Sequence, residues 1–311
     1  MLARLLRWTI MTQMVLGAAL GYWLGGWVVY SALPMPTGKT LSWPLGLACL
    51  LALATPLLLT SAMVSASFLQ AGMQRPWWPW LSALRGELHA QLRLFLLRQP
   101  WAFAAPAILP ATQAPDHQAA GLPVLLLHGL GCNHRVWDDW LPALRAAGHT
   151  VLAIDLEPPF ASIDQLTAQV DRAVAALCQR TGQQQVALVG HSLGGVLIRA
   201  WMQRYGSQHA ALAITLGAPH QGTLAHGLVA TPASLQLAWQ SKWLRALSAR
   251  ENPEQLKLFR IGISRQDNVV HPQLAQTLPG ITPTVFEGLG HLQLCTNAGV
   301  RQWVCAQLRL G

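Results

Sequence analysis

Gln185-Val186-Ala187-Leu188-Val189-Gly190-His191-Ser192-Leu193-Gly194 sets a serine between two glycines directly after a run of apolar, strand-forming residues. A serine hydroxyl is a weak nucleophile until it is held exposed beside a base. A tight strand-to-helix turn holds it there by forcing the serine through a strained backbone conformation, and the Gly-x-Ser-x-Gly layout is that of a nucleophile elbow. Gly190 and Gly194 suit such a turn because side chains there would run into the neighbouring strand and helix. The pattern is short, so its surroundings decide the reading.

From Pro123 onward, short apolar runs alternate with longer helical patterns. Strands are expected at residues 123–127, 150–154, 185–189, 211–216, 257–263 and 283–286. Helices are expected near 134–147, 163–181, 194–205, 233–249 and 297–309. This alternation predicts the α/β class, a mostly parallel sheet flanked by crossover helices. Ser192 then stands at the end of the third strand.

The first hundred residues are of another kind. Two apolar stretches, residues 9–30 and 43–66, contain no charged side chain. Each is long enough to cross roughly 30 Å of hydrocarbon as a helix. They predict two transmembrane helices and not a cleaved signal peptide, whose apolar run is shorter and single. Pro56 would kink the second. Arg4 and Arg7 precede the first span, and Arg75, Arg85, Arg93 and Arg98 follow the second, whereas the connection carries only Lys39. The positive-inside tendency predicts a cytoplasmic catalytic domain on a bacterial inner membrane.

After the spans, Trp77-Trp78-Pro79-Trp80 resembles an interfacial aromatic belt. Leu81, Leu84, Leu88, Leu92, Phe95 and Leu96 then recur at helical spacing. Arg85, Glu87, His89, Arg93 and Arg98 fall largely between them, giving an amphipathic helix with a basic side. It would lie on the membrane or pack on the soluble domain. The expected organisation is an anchor over 1–72, an interfacial helix and Pro/Ala-rich linker over 73–121, and a catalytic domain over 122–311.

The formal charge of +9 sits mainly in the first hundred residues, which hold seven basic side chains and one acidic one. That is a membrane-surface distribution. No basic helix interleaved with aromatics follows, so a nucleic-acid partner is not expected. Cys49, Cys132, Cys178, Cys295 and Cys305 show no metal spacing, and no metal or organic cofactor is expected. Only Cys295 and Cys305 are candidates for pairing, in an oxidising compartment.

Serine chemistry needs a base, an acid that orients it, and donors for the oxyanion. His291, in the glycine-containing loop after the last strand, is the expected base. Asp267, after the fifth strand, is the expected acid, which makes the order Ser, Asp, His. His128 and His220 precede Asp267 and fit that order poorly, and Asp155 reads as the polar end of a strand. His89, His117, His134, His149, His209, His226 and His271 read as structural or solvent-facing. Leu193, after the nucleophile, should give one oxyanion N–H, and Leu130, in His128-Gly129-Leu130-Gly131, the other.

With these motifs together, residues 122–311 resemble an α/β-hydrolase of the lipase and esterase type. Leu216-Gly217-Ala218-Pro219-His220-Gln221-Gly222-Thr223 is similar to a segment of bacterial true lipases and of esterases resembling the GPI-inositol deacylases. The resemblance implies that this segment borders the active site and leads into a cap, here about 224–256. Leu235, Leu237, Ala238, Trp239, Trp243, Leu244 and Leu247 form a helix-compatible apolar stripe there, suited to a lid or to core packing. His128, Gly129, Gly190, His191, Gly194, Pro219 and His220 are the expected pocket and elbow residues.

The function expected is cleavage of carboxylic esters of apolar acyl chains beside a membrane, on a lipid or similar substrate. An acyltransferase or thioesterase would use the same triad, and a non-catalytic membrane scaffold would not need it. The chain departs from secreted lipases in its spans and in lacking an acidic calcium-binding cluster near Asp267.

Overall fold

A computed structural model of the protein describes residues 1–32, 42–112, 121–225 and 230–310. Lys39, His117 and His226 lie outside the described residues, as do parts of the linker and of the cap. Six strands form one all-parallel sheet in the order β2-β1-β3-β4-β5-β6. They are β1 (Val124–Leu127), β2 (Val151–Ile154), β3 (Val186–His191), β4 (Ala210–Leu216), β5 (Phe259–Ser264) and β6 (Thr284–Phe286). Each overlaps a run expected from the sequence.

The strands read as continuous apolar runs because both faces of the sheet are covered. Leu125, Leu127, Val186 and Leu188 enter one core, beneath α5 (Ile163–Thr181) and α6 (Leu193–Tyr205). Their neighbours Val124, Leu126, Ala187 and Val189 enter the other, with Trp137, Trp140 and α11 (Ala298–Leu310). Helix α5 shows how local sequence sets these boundaries. Ser162 and Gln165 form a reciprocal capping box at its start, and Gly182 ends it at φ 73°.

The connections from β1 to β2 and from β3 to β4 run in opposite directions across the sheet. The chain therefore opens a crevice between the carboxyl ends of β1 and β3, where open α/β sheets take their ligands. Ser192 follows β3, and the His128-Gly129 loop follows β1.

Two helices expected to be continuous are broken. Residues 134–147 divide into a 3-10 turn, His134–Trp137, and α4 (Leu141–Ala146), which carries Pro142 in its first turn. Proline lacks the N–H that a helix interior needs, so α4 begins afresh there. In the cap, α7 (Pro232–Gln236) and α8 (Lys242–Ser248) are separated by a turn that bonds to Thr223. Leu237 O accepts the Thr223 N–H at 2.9 Å, and Trp239 N–H donates to Thr223 O at 3.0 Å. Leu237, Leu244 and Leu247 join the main core, as does Leu256 of α9 (Pro253–Leu256), whereas Leu235 is exposed.

The N-terminal region is a hairpin of α1 (Leu2–Ala32) and α2 (Ser42–Gln70). Among the described residues only Pro44–Gln70 is long and apolar enough to cross a membrane, at a mean hydropathy of 2.1. The expectation of two spans thus has one candidate helix behind it. Glycines, threonines and Gln13 dilute the hydropathy of α1. Three of those glycines serve packing: a Cβ on Gly17, Gly21 or Gly25 would collide with the α2 backbone at Leu51, Leu47 or Pro44. Small residues four apart let helices approach closely inside a bilayer.

Helix α3 (Trp78–Leu92) corrects the stripe read from the sequence. Its buried line is Trp80, Ala83, Glu87 and Ala90, continuing to Leu94, while Leu81 is exposed and Leu84 and Leu88 are half-buried. Glu87, assigned to the polar side, is 1% exposed. The helix packs on the sheet-containing domain, and Arg93 and Arg98 both donate to Asp139.

Candidate active site

Ser192 sits at φ 54° and ψ −123°, a conformation that L-residues avoid and that marks the strained elbow. Gly190 lacks a Cβ where one would lie 2.5 Å from the Gly194 carbonyl carbon, and a Cβ on Gly194 would strike the Leu127 carbonyl. These two positions admit only glycine. Ser192 N–H donates to Leu216 O at 2.9 Å, which ties the elbow to the end of β4.

Asp267 and His291 come together as expected. His291 Nδ1 donates to Asp267 Oδ2 at 2.8 Å, and Asp267 Oδ1 accepts the N–H groups of Val269 at 2.8 Å and Val270 at 2.7 Å. Both residues are buried. Burial pulls the His291 pKa down, but the Asp267 charge and hydrogen bond, with a contribution from Glu87, raise it above the ordinary value. Ser192 and His291 border the same cavity. Among the described residues Ser192 Oγ makes no hydrogen bond, and such bonds often tighten only with substrate bound.

The N–H groups of Leu130 and Leu193 have no backbone partner among the described residues. Gly129 brings its loop against the elbow, since a Cβ there would lie 2.9 Å from Ser192 Cβ. His128 braces this loop from behind: Nδ1 donates to Gly129 O at 2.8 Å and Nε2 accepts the Leu156 N–H at 3.0 Å. Burial lowers its pKa, so it stays neutral in that role.

The cavity measures about 290 Å³. Gly129, His191 and Pro219 line it with Ser192 and His291, whereas His128 and His220 do not. His220 is fully buried, its Nε2 paired with Thr215 Oγ1 at 2.9 Å and its carbonyl held by Arg199 at 2.8 Å. Burial and the Arg199 charge hold its pKa well below the usual value. His191 donates from Nε2 to His291 O at 3.1 Å, with ring centroids 4.5 Å apart. Burial, followed by the charge of His291, keeps His191 neutral. Asp155 receives the backbone and side-chain N–H of His134, whereas His291 is paired with Asp267.

Sequence reasoning missed several residues. Asn268 accepts the His291 N–H on Oδ1 at 3.0 Å and donates from Nδ2 to Ser67 Oγ at 2.7 Å. Met63, Val64 and Ser67 of α2 form one wall of the cavity, and Gln91 and Phe95 contribute from the segment after it. Glu87 accepts the Leu292 N–H on both oxygens, at 3.0 and 2.9 Å. Its isolation was the available signal, since it is the lone acidic residue in the first hundred. Among the described residues no cluster of His, Cys, Asp and Glu could hold a metal ion. Cys295 and Cys305 are free thiols.

A family model described as the alpha/beta hydrolase fold matches residues 123–259. A probable esterase of Oryza sativa is 34% identical over 100 residues, which cover 29% of this chain and 37% of that protein. A triacylglycerol lipase of Burkholderia plantarii is 34% identical over 130 residues, 38% of this chain and 35% of the lipase. The matches thus span little more than a third of the relatives' length. Among solved structures, the mature Bacillus licheniformis lipase BlEst2 superposes with a TM-score of 0.56 at 17% identity, over 65% of this chain and 98% of that one. At that identity the likeness bears on the fold alone.

Proposed function

We propose that this chain, an α/β-hydrolase of the lipase and esterase type, is a membrane-anchored serine hydrolase of carboxylic esters with apolar acyl chains. The observation that carries the reading is the composition of one cavity. Ser192 and His291 open into it, and Met63 and Val64 of the apolar helix α2 wall it alongside Leu130 and Leu237. An apolar acyl chain bound there would lie against the helix that is apolar enough to span the bilayer.

In the mechanism, His291 Nε2 takes the Ser192 proton as Oγ attacks the ester carbonyl. The oxyanion is received by the N–H groups of Leu193 and Leu130, fixed before charge develops. The intermediate collapses, the C–O bond to the alcohol breaks, and His291 returns the proton to the leaving oxygen. Water then attacks the acyl-enzyme, giving its proton to His291, and Ser192 recovers the proton as the acid departs. Asp267 keeps the ring in the Nδ1–H tautomer and favours the imidazolium.

The side chains exposed around the hairpin fit a membrane setting. Trp8, Trp23, Leu53, Leu58 and Met63 are all more than 60% exposed, and Trp77 and Trp78 stand out beside α3. Arg7 near the start of α1 donates to Pro100 O at 2.5 Å, and Ser67 near the end of α2 bonds to Asn268. The Met1 amino group also pairs with Glu157 Oε1 at 2.7 Å, so both ends of the hairpin meet the hydrolase domain, which we place on the cytoplasmic side from the arginine distribution. The test is a panel of acyl esters of rising chain length, assayed in membranes with wild type and Ser192→Ala. A loss of roughly three or more powers of ten in kcat is expected for the variant. Equal rates would sink the assignment.

A further inference from the structure

The catalytic histidine lies in a loop that no strand holds, so its position depends on what grips residues 288–293. Ser264 Oγ donates to Leu289 O at 2.5 Å, Gly290 N–H donates to Gln293 Oε1 at 2.7 Å, and His191 and Asn268 hold the His291 backbone. Gln266 Oε1 accepts the Gly288 N–H at 2.6 Å, and a further grip comes from the other end of the chain. The Glu87 carboxylate accepts the N–H of Leu292 on both oxygens and that of Gln293 on Oε2 at 3.1 Å.

The fit is reciprocal. A Cβ on Gly290 would lie 2.6 Å from Glu87 Oε2, and a Cβ on Gly86 would run into the Gln293 side-chain amide. Each glycine receives the long side chain of the opposite segment, which seats α3 and the histidine loop together at a fixed distance. A carboxylate this deeply buried is costly without compensation, and here backbone N–H groups supply it.

We propose that Glu87 is a positioning residue: carried on the helix that leads out of the anchor, it clamps the backbone after His291 and so aims the imidazole between Asp267 and Ser192. This rests on the reading of His291 as the base of a serine hydrolase. The same carboxylate acts on the imidazole through its charge, which favours the protonated ring. The titratable groups that interact with it are His291 and Asp267 of the catalytic loops, Cys132 of the loop after β1, and Cys295 of the short helix after His291. Arg85 and His89 of its own helix are exposed.

The test uses the full-length protein in membranes or detergent, with wild type, Glu87→Gln, Glu87→Asp and Ser192→Ala. Two readouts are taken across pH: kcat/KM on a p-nitrophenyl ester, and the rate at which a fluorophosphonate labels the protein. Glu87→Gln should lose roughly 10- to 100-fold in both, the cost of misaiming a reacting group by about an ångström. The pH at which its rate rises should also move down, because wild type gains an anion beside the imidazolium as Glu87 ionises near pH 7 and the variant does not. A side chain that merely supports the fold would lower the amount of active protein and leave that pH in place.

Glu87→Asp, which keeps the charge but shortens the reach, should lose rate with a smaller shift. An unchanged rate or an unmoved pH limb in Glu87→Gln overturns the proposal. If Glu87→Gln does not fold, Glu87→Asp decides: a folded Glu87→Asp that shows the loss supports the proposal, and failure of both variants to fold assigns Glu87 to the fold alone and overturns it. Wild type that resists the fluorophosphonate as Ser192→Ala does would instead remove the serine-hydrolase reading, a result distinct from either.

Discussion

Asn268 joins the N-terminal hairpin to His291: its side-chain amide donates to Ser67 Oγ at 2.7 Å while its carbonyl oxygen accepts the His291 N–H at 3.0 Å. Both contacts are removed in Asn268→Ala, which leaves a buried N–H unsatisfied at a cost of about 1–3 kcal/mol. The expected result is a fall in kcat of roughly 10-fold or more with a smaller change in KM. Ser67→Ala should be milder, within a few-fold, because the Asn268 carbonyl still holds His291. Steady-state kinetics on one short-chain ester would separate the two. Equal losses in both variants would show that the hairpin contact is what matters.

The histidine sets the acid side of the pH profile. Its pKa lies above the ordinary value, burial being outweighed by Asp267, so kcat/KM should rise with pH through a midpoint above about 6.5. Asp267→Asn removes the charge that holds the ring protonated and also the acceptor that fixes its tautomer. The midpoint should drop, and the maximal rate should fall by roughly 10⁴. A profile measured from pH 5 to 9 on both proteins gives the comparison.

Glu87 also predicts how stability depends on pH. Burial raises its pKa from 4.5 to about 7, against the pull of the Leu292 N–H bond. The folded state therefore holds this proton more tightly than the unfolded chain does. Its contribution is complete below about pH 4.5 and is lost as pH rises to about 7, a change on the order of 3 kcal/mol. Melting temperatures of wild type and Glu87→Gln, taken from pH 4.5 to 8, isolate it by difference. The variant should gain on wild type as pH rises through that window, and a constant difference would contradict the raised pKa.

The strands were legible because each is a short apolar run bounded by turn residues, and the candidate site because Ser192, Asp267 and His291 each stand just beyond such a run. Glu87 was not. It was read with Arg85 and His89 as a polar face, which is correct for a helix that meets water there. What buries it is the backbone of Leu292, 205 residues further along the chain. Periodicity reports which side chains are polar, and cannot report that a distant loop will present N–H groups to one of them. The continuous helix expected over 233–249 fails for a related reason: Leu235 to Leu247 has a helical pattern, yet Thr223 takes up its middle as a strand-like bridge.

Val64 offers a test of where the acyl chain lies. It is buried on α2 and borders the cavity with Ser192 and His291, whereas Met63 beside it is largely exposed. Enlarging the side chain in Val64→Phe would fill cavity space without touching the triad. Short acyl esters need little of that space, and their kcat/KM should stay within a few-fold of wild type. Long acyl esters need all of it, and a clash of a few methylenes costs about 1–3 kcal/mol. The ratio of long-chain to short-chain kcat/KM should therefore fall by roughly 10-fold or more. The same substitution at Leu235, exposed on the cap and away from the cavity lining, serves as the control. If chain-length preference moves with Leu235→Phe and not with Val64→Phe, the acyl chain does not run along α2, and the anchor then contributes location to the reaction but no part of the pocket.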